Sequence, residues 1–146
     1  MSSQVGNVPL VSGAVQLAGR KRVFSVTYLS LGGPFLDDVR TSDRGRIAHA
    51  GEVEISLMLH FRPGLVDEKS YFTGLWELPY DYSSAELLES GPLVTYSPFQ
   101  ENSETGTLGD TKHATAEKNE RLFEPYCDDL GSVLLDINDH LVAKAQ

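Results

Sequence analysis

Apolar and polar residues alternate along the chain in patterns that predict a helix and then a strand near the N-terminus. From Asn7 to Gly19 apolar residues recur at helical spacing, with Asn7 placed to cap the helix and Pro9 in its first turn. Val23 to Leu29 is rich in β-branched and aromatic residues, which favours a buried strand. A helix joined to a strand by two or three residues is typical of a βαβ unit. The pattern therefore predicts an α/β fold.

The rest of the chain predicts two more helices, separated by a long irregular segment. A short apolar helix is expected from Ala50 to Phe61, where Arg62-Pro63-Gly64 ends it. Residues 71–110 show little periodicity, and a loop of that length is usually functional or part of an interface. Thr115 is expected to open the last helix. Its apolar stripe contains Pro125, which should kink or split it.

Composition and charge argue against some classes of protein, among them nucleic-acid-binding and membrane proteins. The 146 residues fit a single domain, residues 1–146, and 40% of them are hydrophobic, which is ordinary for a globular protein. The net charge is −9 and no basic stripe is visible, so nucleic-acid binding is not expected. No apolar run approaches the length of a membrane span, and the N-terminus lacks the features of a signal peptide. We expect a cytoplasmic protein that does not bind membranes.

Cys127 is the only cysteine of the chain. No disulfide can therefore form within the chain, and a reducing compartment is expected. On the predicted last helix, Cys127 shares an apolar face with Leu130 and Leu134. That position predicts a packed thiol rather than a nucleophile.

Candidate chemistry is concentrated at the start of the central helix, where His49 precedes two carboxylates. Glu54 has the i, i+3, i+4, i+7 spacing with Leu57, Met58 and Phe61, which predicts that Glu54 lies on a buried face. A carboxylate there is costly unless a cation or several donors meet it, which indicates a metal or substrate site. A buried Glu paired with an Arg, or a first-turn Glu that interacts with the helix dipole, remains an alternative. His49 could act as acid or base, bind substrate or ligate a metal.

Three segments, in this order along the chain, resemble the creatininase (creatinine amidohydrolase) family. Gly6-Asn7 resembles the end of the family's Asn-Gly-His-Gly-Gly-Asn motif. Residues 49–59, followed by residues 62–67, are similar to its His-Xaa-Gly-Xaa-Xaa-Glu-Thr-Ser-Xaa-Met-Leu and Arg/Tyr-Pro-Xaa-Leu-Val-Asp segments. Residues 106–122 resemble its Gly-Xaa-Xaa-Gly…Ala-Thr-Xaa-Glu-Lys-Gly-Glu segment, with Asn119 in place of the last Gly.

The resemblance implies a layered α/β/α sandwich on a mostly parallel sheet, assembled as a homo-oligomer that is often a hexamer. It implies metal-dependent hydrolysis of a small-molecule amide, at a cyclic amide or another non-peptide C–N bond, with zinc and/or manganese as the cofactor. By resemblance, Glu54 is a metal ligand and His49 contacts the substrate and shuttles protons. Substrate specificity is expected in loops such as residues 71–110, where Trp76 is a candidate for substrate binding.

The resemblance covers only the C-terminal part of the family pattern. The family's other ligands lie earlier, as a Glu-Xaa-His pair, a bridging Asp and the His of Asn-Gly-His-Gly-Gly-Asn, whose position Gln4 takes here. An incomplete metal site is therefore expected, and three interpretations stay open. The chain is a hydrolase that lacks its N-terminal half, or a degenerate, non-catalytic relative that serves as a binding or oligomer-interface protein, or a small acidic α/β interaction domain with an accidental resemblance.

Overall fold

The structure is a computed structural model, and it describes residues 19, 24–26, 28–31, 33–74, 81–86, 91–93 and 97–144. Within these ranges the regular elements are helical. The α-helices are α1 (Gly33–Val39), α2 (Glu52–Phe61), α3 (Phe99–Asn102) and α4 (Ala116–Ala143). Short 3-10 turns lie at Tyr28–Ser30, Pro63–Leu65 and Glu68–Ser70.

The predicted α/β/α sandwich with a mostly parallel sheet is wrong for the part of the chain that the structure describes, because no strand occurs there. In the predicted strand Val23–Leu29, residues 24–26 have no regular secondary structure and Tyr28 begins a 3-10 turn. A stretch with high strand propensity becomes a strand only when neighbouring strands bond to its backbone and its side chains pack. The helix predicted for residues 7–18 lies outside the described residues.

Three helices meet around one small core. Both α1 and α2 pack against α4. Leu36 of α1 and Leu122 of α4 are almost completely buried in this core, and burying a leucine contributes about 1.5–3 kcal/mol. The buried core residues are Leu31, Leu36, Val39, Ile47, Val53, Leu122 and Tyr126. Cys127, which lies on α4 outside this core, is exposed, so the prediction of a packed thiol is wrong.

The structure confirms the predicted central helix but not the face that it buries. Its buried positions are Glu52, Val53 and Ser56. Glu54 is half-buried, while Met58 and Phe61 are 39% and 43% exposed, so the prediction that Glu54 lies on the buried face is wrong. Apolar residues surround most of α2, and its own periodicity therefore does not select a face. The contact with α4 does so instead.

The last helix begins where it was expected. The Thr115 hydroxyl accepts a hydrogen bond from the backbone N–H of Lys118 at 3.4 Å, which caps the first turn. α4 spans 28 residues with Pro125 inside it, so of the two predicted effects, a kink or a split, the split is wrong. A proline within a helix costs about 3 kcal/mol. Burial of Leu122 and Tyr126 on either side of Pro125 offsets that cost. None of the described helices combines the length and the apolar character needed to cross a membrane.

Candidate functional site

His49 and Glu54, the two residues singled out from the sequence, lie side by side at the N-terminus of α2. Ala50, between His49 and the helix, has a φ of 54°, a left-handed conformation that costs a residue with a Cβ about 1–2 kcal/mol. In this conformation the Ala50 N–H donates to Glu54 Oε2 at 2.5 Å. The same oxygen lies 3.7 Å from His49 Nδ1. Backbone strain therefore accompanies the approach of the imidazole to the carboxylate, as is common at functional sites.

Aromatic side chains surround the pair. Tyr28 donates its hydroxyl hydrogen to Glu54 Oε1 at 3.3 Å, and its ring packs edge-on against Tyr126 at 6.3 Å between centroids. The His49 ring packs edge-on against Phe99, 5.2 Å away. Burial, followed by the nearby negative charge of Glu54, raises the pKa of Tyr28. Tyr28 therefore stays protonated and serves as a hydrogen-bond donor to Glu54.

The pair offers two ligand types that zinc and manganese accept, an imidazole nitrogen and a carboxylate oxygen. His49 Nδ1 is buried and has no hydrogen-bond partner among the described residues. A zinc ion takes about four ligands. Nowhere in the described ranges do three or more His, Cys, Asp or Glu side chains come close enough to hold a metal ion. These residues do not form a complete metal site by themselves. Trp76, the predicted substrate contact, lies outside the described residues.

A close approach of two glycines fixes the loop that carries His49. The backbone oxygen of His49 accepts from Leu108 N at 2.9 Å, and that of Arg46 accepts from Asp110 N at 3.2 Å. Between these bonds, a Cβ placed on Gly109 would lie 2.6 Å from the Cα of Gly51. Residues 46–51 and 108–110 can lie this close only because both facing positions are glycine.

A second polar cluster, which we name the Glu52 cluster, consists of Glu52, Lys118, Thr41, Ser42 and His113. The Glu52 carboxylate is 1% exposed and accepts hydrogen bonds from the backbone N–H groups of Thr41 and Ser42, each at 2.9 Å. The Lys118 ammonium donates to the same carboxylate, and also to the backbone oxygen of His113 at 2.5 Å. The cluster thus joins the start of α2, the start of α4 and the loop after α1.

The Thr41 hydroxyl extends the Glu52 cluster toward solvent. It accepts from Lys118 Nζ at 2.6 Å and lies 3.1 Å from His113 Nδ1. His113 Nε2 lies 3.5 Å from Asp110 Oδ2. The backbone N–H of Asp110 also donates to the backbone oxygen of Arg46. Asp110 therefore contacts both the Glu52 cluster and the loop that carries His49.

Sequence reasoning missed the roles of Glu52 and Lys118. One alternative for a buried glutamate was pairing with an arginine, and the structure pairs Glu52 with a lysine instead. An arginine–glutamate pair does occur elsewhere, where Arg40 Nη2 lies 3.1 Å from Glu86 Oε2 and both side chains are more than nine-tenths buried. One local signal was available for Lys118, because the helix dipole disfavours a cation in the first turn, and Lys118 lies there, three residues after the cap Thr115.

The Glu52 cluster makes stability depend on pH. Burial alone would raise the pKa of the Glu52 carboxyl, but hydrogen bonds from Lys118, Ser42 and Thr41 outweigh burial and hold the pKa below its usual 4.5. A carboxyl whose pKa is lowered in the folded state contributes stability that is present above its unfolded pKa. That stability is lost as the pH falls through the folded value.

We therefore expect the difference in free energy of unfolding between the wild type and Glu52→Gln to be constant near neutral pH. The difference should shrink as the pH falls below 4.5. Urea denaturation at a series of pH values measures it. A difference that stayed unchanged as the pH was lowered from 4.5 to about 2 would contradict the lowered pKa.

Comparison with known proteins places the chain in a family. The family whose sequence model matches is Creatininase, described as creatinine amidohydrolase, and the match covers residues 1–134 of the 146. Neither the search of curated proteins nor the search of solved structures returned a match. The matched region includes His49, Glu54 and the Glu52 cluster, and it covers far more than half of the chain. The chain therefore belongs to the creatinine amidohydrolase family.

Proposed function

We propose that this chain hydrolyses an amide-type bond of a small molecule, a cyclic amide or another non-peptide C–N bond, with His49 and Glu54 at the reacting centre. One observation carries the proposal beyond family membership. His49 Nδ1 is buried, has no hydrogen bond within the described ranges and faces Glu54 Oε2 at 3.7 Å. A basic nitrogen next to a carboxylate is suited to proton transfer.

The proposed role of His49 follows from the bond that breaks. Water adds to the amide carbonyl carbon and gives up a proton, and the C–N bond then breaks as the leaving nitrogen accepts one. We assign that transfer to His49, which takes the proton and returns it to nitrogen. The Glu54 carboxylate faces the imidazole during this step, and the hydroxyl of Tyr28 and the N–H of Ala50 hold the carboxylate in place.

A divalent ion, zinc or manganese, is part of the proposal because the family is generally metal-dependent. Glu54 is the residue that we propose as its ligand. Such an ion makes bound water more acidic and polarises a carbonyl. The described residues supply too few ligands to hold the ion alone, so we assign it no step. Trp76 remains proposed as a substrate contact, and assembly with further copies of the chain remains proposed as well.

Replacing Glu54 with Gln should lower kcat/KM for amide hydrolysis by about 100-fold, the upper end for losing a residue that orients a metal ligand, because Glu54 is proposed as the ligand itself. Gln keeps the size of the side chain and an oxygen that can accept from Ala50, so the fold should persist. The assay follows product release from creatinine and a panel of cyclic amides. The exposed Glu68→Gln is the matched control and should retain full activity. Wild-type activity in Glu54→Gln would remove Glu54 from the reacting centre.

A non-catalytic binding protein is the second candidate function. It is favoured by the limited ligand set, since the described residues bring only one imidazole and one carboxylate together at this site. Titration calorimetry with the same cyclic amides separates the two candidates. Binding without product formation under any added zinc or manganese concentration indicates the binding protein, whereas product formation that requires Glu54 indicates the hydrolase.

A further inference from the structure

The His49 imidazole is held without a hydrogen bond to the nitrogen that faces Glu54. Nδ1 lies 3.7 Å from Glu54 Oε2, which is longer than a hydrogen bond, and it has no other partner among the described residues. A functional imidazole is usually oriented by a hydrogen bond to one of its ring nitrogens. Because Nδ1 lacks that bond here, packing has to orient the ring.

Phe99, the first residue of α3, supplies packing against this ring. The two rings meet edge-on, with an angle of 89° between their planes and 5.2 Å between their centroids. Aromatic pairs favour this geometry at centroid separations of about 4.5–7 Å. Phe99 is half-buried. Rotation of the imidazole about the bond to its Cβ would break the edge-on contact, so the contact favours one orientation of the ring.

The segment that carries the phenyl ring, residues 97–108, is held in shape by its own side chains. Asn102 Nδ2 donates to Ser97 Oγ at 2.6 Å, across the short helix. The Ser103 hydroxyl donates to the backbone oxygen of Thr107 at 2.8 Å. These bonds close two turns within the segment, so the phenyl ring has a fixed place relative to the end of the segment.

The end of the same segment bonds to the backbone of His49. Leu108 is 2% exposed, and its N–H donates to the His49 backbone oxygen at 2.9 Å. Residues 97–108 therefore contact His49 twice, at the ring through Phe99 and at the backbone through Leu108. Because both contacts come from one segment of fixed shape, they set the position of the imidazole relative to its own backbone.

We propose that Phe99 is a positioning residue for His49, which keeps Nδ1 turned toward Glu54 and leaves the rest of the ring to face the substrate. The His49 side chain is 39% exposed although Nδ1 is buried, so its accessible surface lies away from Glu54. Proton transfer needs the imidazole in one orientation, since a misplaced ring cannot reach the reacting atoms. The effect on catalysis rests on the proposed hydrolysis, whereas the orientation of the ring does not.

Phe99→Leu removes the aromatic ring but keeps an apolar side chain. It should lower kcat for amide hydrolysis by about 10- to 100-fold and leave KM unchanged, because a displacement of about 1 Å at a catalytic group can cost about 100-fold. Phe99→Tyr keeps the ring and should retain the wild-type kcat. Phe35→Leu, at an exposed position of α1, is the matched control and should retain full activity. An unchanged kcat in Phe99→Leu, or a rise in KM alone, would overturn the positioning role.

NMR of the ring nitrogens tests the orientation without any reaction. At alkaline pH the neutral imidazole carries one hydrogen, and the Glu54 carboxylate facing Nδ1 favours that hydrogen on Nδ1. Proton–nitrogen spectra should show His49 as a single Nδ1–H tautomer in the wild type and as a mixture of tautomers in Phe99→Leu. A mixture in the wild type, or the same single tautomer in Phe99→Leu, would overturn the proposal.

Hydrogen exchange at the Leu108 amide separates the effect on the ring from an effect on the whole segment. Exchange should stay slow in both the wild type and Phe99→Leu, since the bond to the His49 oxygen does not involve the phenyl ring. Fast exchange in Phe99→Leu would show that Phe99 supports the segment instead of the imidazole, and would overturn the positioning role. If the wild type releases no product from any cyclic amide, the proposed hydrolysis fails, while the tautomer spectra still decide whether Phe99 orients His49.

Discussion

Lys118→Met is expected to lower the free energy of unfolding by about 3–5 kcal/mol, because it leaves the Glu52 carboxylate buried without its cation. Glu52 is 1% exposed, so water cannot replace the lost ammonium without opening the contact between α2 and α4. Met matches the length of the aliphatic part of the lysine side chain and keeps its apolar contacts. Small domains have a total stability of about 5–15 kcal/mol, so this single change should remove a large share of it. Urea denaturation followed by circular dichroism measures the loss.

Two further variants show whether the loss comes from the ion pair. Lys112→Met removes an exposed lysine of the same segment and should change stability by less than about 0.5 kcal/mol. In a Glu52→Gln background a neutral amide replaces the carboxylate, so Lys118→Met should cost less there, with a coupling of about 2 kcal/mol in the double-mutant cycle. Additive effects of the two changes would show that Lys118 and Glu52 do not stabilise the fold as a pair.

Gly109→Ala is expected to destabilise the fold by about 3 kcal/mol, at the upper end for an overpacked position. The added Cβ would lie 2.6 Å from the Cα of Gly51 and 2.9 Å from the backbone oxygen of Arg46. Both neighbours are backbone atoms, so no side chain can rotate away. The segments would have to separate, and the bond from Leu108 N to the His49 oxygen would lengthen. Thermal unfolding measures the loss of stability.

Gly64→Ala is the matched control for Gly109→Ala, since a Cβ on Gly64 meets no atom within 4 Å. It should leave stability within about 0.5 kcal/mol of the wild type. Gly109→Ala should also lower amide hydrolysis, because the displaced loop carries His49. If Gly109→Ala were as stable as Gly64→Ala, the close approach of the two segments would be wrong.

Signals that act within a few residues predict the helices that support the site. Arg62-Pro63 ends α2 after Phe61, and the Thr115 hydroxyl caps α4, so both boundaries follow from neighbouring residues. The sequence motifs around His49 and Glu54 identified the family in the same way, since they are short and contiguous.

Features that depend on distant residues were not predictable. Val23 to Leu29 has the composition of a strand, but a strand needs a partner strand, which no local pattern supplies. The buried face of α2 is set by Lys118, which lies 66 residues after Glu52. The apolar neighbours of Glu54 predict its burial, whereas the structure buries Glu52 because a cation and two backbone N–H groups meet it there.

The most direct test of the central claim, that the His49–Glu54 pair is the hydrolytic centre, is one side-by-side assay of amide hydrolysis. Wild type, Glu54→Gln and Glu68→Gln are assayed on the same cyclic amides, and the bound zinc and manganese are determined in the same samples. We predict product from the wild type and from Glu68→Gln, with about 100-fold less from Glu54→Gln and less bound metal in that variant. Equal rates and equal metal content in all three proteins would contradict the account.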